Sequence, residues 1–198
     1  MTDSEPIAGG PRRTPGKRDR LIAAAIQLMY QQGVEATTLA DIAQAAGIPV
    51  GNVYYYFKAK NDIIAAVIDA HLRDIQAMLG AIETAHPTPA GRLKALFGAL
   101  AGQADPVARY GCPHGSLCQE LVKYRADESV PEASRLVRLP IEWAERQFAA
   151  MGRPDARDLA IRAIAAYQGA ALLTSVLRDP SLLEHESRCA SAWVDSLG

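Results

Sequence analysis

The first stretch whose residue types and spacing could do chemistry is Thr38 to Ile64, T-L-A-D-I-A-Q-A-A-G-I-P-V-G-N-V-Y-Y-Y-F-K-A-K-N-D-I-I. A tight Gly47-Ile48-Pro49 turn separates two short apolar-periodic runs. Ala43 and Gly47 are small where two helices must approach closely, and Ile42, Ile48 and Val53 supply a small core between them. That leaves Val50, Gly51, Asn52, Tyr54 and Tyr55 for the outer face of a short helix. A face that is slim and hydrogen-bonding in front, with an apolar grip behind, suits the DNA major groove. There an Asn pairs with adenine and an apolar side chain meets a thymine methyl. Two helices joined by a glycine turn also describe an ordinary αα-hairpin, so topology alone leaves both readings open.

The second stretch is Gly111-Cys112-Pro113-His114-Gly115, with Cys118 one turn on. A cysteine near a helix N-terminus has a lowered thiol pKa, which makes Cys112 a candidate thiol switch, with His114 as a helper. The alternative is a small buried hydrophobe in a tight turn. Cys112, His114 and Cys118 lack the fourth ligand of a structural zinc site, so no metal is expected. His71, His86, His114 and His185 are scattered without an obvious carboxylate partner. There is no nucleophile elbow, no Gly-rich phosphate loop after a strand and no two-His metal helix. The expectation is a protein that is not an enzyme and needs no cofactor.

The elements that must position these residues read as helices. Leu21, Ile22, Ala25, Ile26, Leu28 and Met29 share one face from Lys17 to Gln32, and Gly33 stops that helix. Thr38 with Asp41 three residues later resembles a capping box, opening a second helix that Gly47 ends. Pro49 suits the start of the next, roughly Val50 to Phe57, because its fixed φ is already helical. Asn61 and Asp62 begin a longer helix toward Leu79 or beyond, with Ile63, Ile64, Val67, Ile68, Leu72 and Ile75 as its buried stripe. Further helices are expected from about Ala90 to Gly102, Gly115 to Arg125, Pro131 to Met151, Arg153 to Leu177 and Ser181 to Leu197. Asp105-Pro106 breaks the pattern, and Pro140 predicts a kink or a split. The fold class is therefore all-α, with about nine helices. The expected division is a disordered basic arm over 1–15, a helix-turn-helix domain over 16–62 and a larger helical domain over 63–198.

Composition is ordinary for a globular chain of 198 residues, 49% hydrophobic and 22% charged. No uninterrupted apolar run reaches the ~18 residues of a membrane span, and residues 1–16 lack a signal peptide's apolar core. Three cysteines do not make a secreted disulfide framework. A cytoplasmic protein without a membrane partner is expected. Residues 11–60 hold seven basic side chains against three acidic ones, a balance of +4 in a chain whose net charge is -1, which leaves -5 elsewhere. A basic head on an acidic body fits a polyanion-binding module joined to something else.

Taken together, Thr38, Gly47, Tyr54 to Phe57 and Lys60 resemble the DNA-binding signature of TetR-family repressors: a Thr opening helix two, a Gly turn, an aromatic-Phe step and a following Lys. The chain departs from the commonest pattern at Pro49, where a Ser or Thr is frequent, and at Tyr56, where a His is frequent; both positions bear on the operator sequence. The resemblance implies that Thr38, Lys60 and the hydroxyl of Tyr54 or Tyr56 contact phosphates, which fixes register. It implies that Val50, Gly51, Asn52 and Tyr55 face base edges. Phe57 is expected in the core, and Tyr54 is open between core and surface. Arg12, Arg13, Lys17 and Arg18 either reach an adjacent groove or form a solubilising tail. The Gly111–Gly115 stretch is similar to one at the start of the sixth helix in a subset of these repressors, some of which sense electrophiles.

The same resemblance implies that the remaining helices dimerise and enclose a pocket for a small-molecule effector that releases the operator. The segment Asp158 to Leu177 is apolar around much of its circumference and must be buried on more than one side. With Leu182, Leu183, Ala190, Trp193 and Leu197 of the last helix it is expected to form a four-helix homodimer interface; the alternative is the centre of a monomer. Pocket candidates are Phe97, Leu100, Leu117, Leu121, Trp143, Phe148 and Tyr167, with His114, Gln119, Glu120 and Gln168 as polar groups to orient a ligand. Two alternatives to an effector-released repressor of double-stranded DNA remain. One is a repressor switched through Cys112, the other a helical interaction module that no longer binds DNA.

Overall fold

The computed structural model describes residues 16–124 and 131–198. The expected arm over 1–15, with Arg12 and Arg13, lies outside the described residues. All regular structure among the described residues is helical. In chain order the helices are α1 (Lys17–Gln32), α2 (Leu39–Ala46), α3 (Val50–Tyr56), α4 (Lys60–Ala85), α5 (Pro89–Ala101), α6 (Ala104–Tyr110), α7 (Pro113–Tyr124), α8 (Pro131–Ala150), α9 (Ala156–Leu177) and α10 (Ser181–Asp195).

The helix absent from the sequence reading is α6. Asp105-Pro106 reads as a breaker, yet Pro106 falls in the first turn of α6, where no intrahelical N–H bond is lost. Val107 N–H bonds instead to the Gln103 carbonyl at 3.0 Å. Pro140 neither splits nor ends α8, which runs unbroken as a single helix past it. The Gly-Cys-Pro-His-Gly stretch consequently opens the seventh helix among the described residues rather than the sixth.

Local sequence explains the ends of the elements. Thr88 accepts the Gly91 N–H at 3.1 Å and Pro89 occupies the first helical position of α5. Arg178 takes a left-handed conformation, φ 57°, closing α9. Its guanidinium donates to the carbonyls of Ala108 at 3.1 Å and Arg109 at 2.6 Å, so a cation sits on the C-terminal end of α6.

α1, α2 and α3 form a small head, and α1 also rests on α4 and α7. α8 lies across α4, α5, α7 and α9, while α9 packs between α8, α10 and α6. The core is continuous from Leu21 in α1 through Ile63 and Val67 in α4 to Phe148 in α8 and Val194 in α10. α4 runs without a break through the division expected at residue 62. Head and body therefore share a rigid helix rather than a linker. α9 is long and apolar enough to cross a bilayer by composition, but it is a central helix of the body, and less than half of its apolar window is covered within the chain.

Candidate nucleic-acid interface and internal cavity

The turn of the head is fixed by three local devices. Thr38 and Asp41 form a reciprocal capping box at α2: Asp41 N–H donates to Thr38 Oγ1 at 3.1 Å, and Thr38 N–H donates to Asp41 Oδ2 at 2.9 Å. The Thr38 hydroxyl proton is itself held by Asp41 Oδ2 at 2.6 Å, and these bonds keep the Asp41 carboxyl below its ordinary range. Gly47 closes α2 at φ 61°, ψ 42°, a left-handed conformation that favours glycine. Arg20 of α1 then donates to the carbonyls of Ala46 and Gly47, placing a cation over the C-terminus of α2.

Behind α3, Val53 and Ile48 are buried beside Ile42 and Ala43. Phe57 is buried too, with the Arg18 guanidinium 5.4 Å above its ring. In front, Pro49, Val50, Gly51, Asn52, Tyr54 and Tyr55 are exposed, Tyr55 by 79%. The structure thus places Tyr54 on the surface; Tyr56 is the tyrosine that turns partly inward, edge-on to Tyr55 with ring centroids 5.0 Å apart. A Cβ added to Gly51 would meet nothing within 4 Å. No contact among the described residues accounts for a glycine there, although glycine inside a helix costs about 0.5–1 kcal/mol relative to alanine.

Lys60 does not project freely. Its ammonium donates to the Glu35 carbonyl at 3.0 Å and lies 5.4 Å from the centre of the Tyr124 ring at the end of α7. Sequence reasoning missed this seam between head and body. Val34 N–H, just after α1, donates to Glu120 Oε2 of α7 at 2.5 Å. Tyr30 donates to the Gly111 carbonyl at 2.8 Å, with the Pro106 carbonyl 3.0 Å away, and its burial pushes the phenol up to about 12. Glu120, expected to orient a ligand, is therefore engaged with the head.

Between α4, α5, α7, α8 and α9 lies a cavity of about 270 Å³. Four expected residues are on its wall: Leu100, His114, Tyr167 and Gln168. Phe97, Leu117, Leu121 and Trp143 are not. They are buried in the packed core, and the Trp143 indole N–H donates to Glu83 Oε1 at 2.7 Å. Phe148 packs against Trp193 in the same core, with ring centroids 5.7 Å apart. Their type marks them as apolar, but only packing decides whether an apolar side chain faces a void or a neighbour. The wall also contains His71, Asp74 and Met78 of α4 and Leu136 and Pro140 of α8. His71 was detectable: it continues the stripe Ile64, Ile68, Ile75 as a polar residue on a buried helix face.

His71 and His114 meet edge to face, with ring centroids 5.0 Å apart. Burial first, and the neighbouring His71 second, push the His114 imidazole down to about 4; burial lowers His71 as well. Both rings are neutral at pH 7. Cys112 is buried before α7, and its sulfur accepts from Gly115 N–H at 3.3 Å and from the Tyr167 hydroxyl at 3.6 Å. Cys118 donates instead to the Ala133 carbonyl at 3.1 Å, and burial raises its thiol to about 11. Among the described residues no cluster of His, Cys, Asp and Glu has the makings of a metal site.

On the outer side of α9, Ile161, Leu172, Leu173, Val176 and Leu177 are exposed, and Ala165 and Gly169 lie between them on the same face. The residues α9 buries within the chain are Ala156, Leu159, Ala160, Ala163, Ile164, Tyr167, Ala170, Ala171 and Thr174.

The profile of the family described as bacterial regulatory proteins, tetR family, matches residues 21–67. An uncharacterised HTH-type transcriptional regulator from the lacX 3′ region of Lactococcus lactis subsp. lactis is 31% identical over 171 residues, covering 84% of this chain and 87% of that protein. An uncharacterised HTH-type transcriptional regulator of Mycobacterium tuberculosis, Rv0196, is 27% identical over 85% of this chain and 89% of its own length. A TetR transcriptional regulator from Legionella pneumophila has the same fold, with a TM-score of 0.79 over 94% of this chain and 99% of that one, at 23% identity.

Proposed function

The chain belongs to the tetR family of bacterial regulatory proteins and is a helix-turn-helix transcriptional regulator, and from that premise we propose that it is a cytoplasmic repressor that binds a palindromic operator as a homodimer and leaves it when a small molecule fills the cavity. The observation that carries the DNA reading is the outer face of α3. Asn52, Tyr54 and Tyr55 stand exposed beside a Gly51 that nothing in the fold requires. Asn52 and Val50 read base edges, and Gly51 admits the floor of the groove. Tyr54, Thr38 and Lys60 hold phosphates; Thr38 and Lys60 exchange part of their present bonding to do so. The unit that reads DNA is residues 16–62, with 63–198 as the effector and dimerisation unit. The exposed apolar side of α9 supplies the dimer face, together with α10, and spaces two heads for half-sites ~34–36 Å apart.

α7 supports a route from cavity to head. Its first turn contributes Pro113 and His114 to the cavity, and Glu120, two turns on, holds the backbone of Val34. A ligand that favours the arrangement with displaced α7 shifts the population toward heads that no longer match the operator.

The test is selection of random duplexes on the full-length protein, then titration of the enriched sequence at two salt concentrations. A palindromic consensus bound with a steep salt dependence is the expected result. Enrichment of nothing, from protein shown to be folded and dimeric, overturns the repressor.

A second reading rests on the place of Cys112 just before α7, where the Gly115 N–H and the Tyr167 hydroxyl both point at its sulfur. In it, alkylation of Cys112 releases the operator. Release of a Cys112→Ser variant by an electrophile, as complete as that of the unaltered protein, eliminates this reading.

A further inference from the structure

The cavity's polar groups have a pattern that narrows the chemistry of its occupant. Its lining includes no lysine or arginine and one carboxylate, Asp74, whose side chain is exposed. Ile75, Met78, Leu96, Leu100, Leu136 and Ile164 make most of the remaining wall apolar. The other polar side chains on the wall are Gln103, Tyr167, His71, His114 and Gln168; the Tyr167 hydroxyl is engaged by Cys112, and His71, His114 and Gln168 have no hydrogen-bond partner in the protein among the described residues. Gln168 reaches this position because residue 115 is glycine: a Cβ there would stand 2.5 Å from Gln168 Oε1. An imidazole pair and a side-chain amide are thus held against the start of α7, uncharged and with unspent donors and acceptors.

We propose that this cavity selects an uncharged, compact aromatic molecule bearing a hydroxyl group, and rejects the same skeleton carrying a carboxylate or an ammonium group. This rests on the effector-cavity reading above and adds the ligand's chemical class. A hydroxyl both donates and accepts, so it matches a neutral imidazole in either tautomer and a side-chain amide in either orientation. A carboxylate only accepts. It would enter a site with no cation, beside Asp74, and exchange its hydration for neutral donors alone, which do not balance a buried charge. An ammonium only donates. Its one ionic partner, Asp74, is solvated at the edge of the cavity, while the deep end offers neutral rings. The volume of about 270 Å³ is just below the ~300–1,000 Å³ of small-molecule pockets and limits the ligand to about the size of one or two fused rings, and the rings of His71, His114 and Tyr167 on the wall favour an aromatic one.

The experiment uses the full-length protein at pH 7 and four probes on one skeleton: naphthalene, 2-naphthol, 2-naphthoate and 2-naphthylmethylamine. Calorimetric titration gives the affinity for each. The expected result is 2-naphthol bound at least tenfold more tightly than the naphthoate and the amine. In His114→Leu, and separately in Gln168→Leu, 2-naphthol loses its advantage over naphthalene while naphthalene binding is kept. Equal or tighter binding of either charged probe overturns the proposal, as does failure of every probe to bind. The comparison of probes on the unaltered protein stands even if one variant does not fold. Operator release is read in parallel on the selected duplex. Tight naphthol binding that leaves operator affinity unchanged sinks the effector role and keeps the ligand class. Release by naphthoate in place of naphthol sinks the ligand class and keeps the effector role.

Discussion

Gly51 separates stability from function at the scale of one residue. With open space where its Cβ would be and a helical backbone around it, Gly51→Ala is expected to raise stability by about 0.5–1 kcal/mol in urea denaturation. The same variant is expected to bind the selected operator less tightly, because in the proposed complex the methyl projects toward the DNA. A gain in both would place α3 away from the groove. Thr38 makes the opposite case, since its hydroxyl caps α2 in both directions with Asp41. Thr38→Ala should cost about 1 kcal/mol of stability and Thr38→Ser very little, a difference that denaturation midpoints resolve.

Among the elements, α7 has the most divided role. Its first turn borders the cavity through His114, Glu120 holds Val34 at the end of α1, and Tyr124 underlies Lys60. Glu120→Gln keeps the acceptor shape but weakens a charge-assisted bond, while Glu120→Ala leaves the Val34 N–H without its acceptor. A bond to a charged group contributes roughly 1.5–3 kcal/mol, so Glu120→Ala should be the less stable of the two. Both variants are expected to bind a cavity ligand with unchanged affinity yet release the operator less completely. Calorimetry on the ligand and titration of the operator with and without it separate the two effects. Full release from a stable Glu120→Ala protein removes this bond from the route.

For the whole molecule, the exposed apolar side of α9 and the buried imidazoles make two distinct demands. Ile161, Leu172, Leu173, Val176 and Leu177 leave a contiguous apolar face uncovered by the subunit itself, and such faces mark contacts with other chains. Leu172→Glu should convert the proposed dimer to a monomer in sedimentation and reduce operator affinity, without unfolding the chain, because Leu172 is 62% exposed. An unchanged dimer would move the interface elsewhere. The imidazole of His114 sits at about 4 in the folded protein against an ordinary 6.5. Between these values the unfolded chain binds a proton that the folded one refuses. Stability is therefore full above about pH 6.5 and declines as the pH falls toward 4. Urea midpoints across that range should fall more steeply for the unaltered protein than for His114→Leu.

The sequence by itself determined the head. Capping residues, the Gly47 turn, the period of the apolar positions and the aromatic-Phe step are local signals within 27 residues, and local signals survive without knowledge of distant neighbours. It also determined an all-helical body, since each helix carries its own apolar stripe and its own Gly or Pro boundary. Tertiary structure decided what those stripes face. Phe97, Leu121 and Trp143 fill the core while Leu100 and His114 border the cavity, a difference of packing between residues of the same apolar helices. Tertiary structure likewise turned Glu120 from a ligand contact into an anchor for Val34, brought His71 beside His114 across 43 residues of chain, and let Pro106 begin a helix instead of breaking one. These outcomes depend on which surfaces meet across long sequence separations, and no window along the chain contains that information.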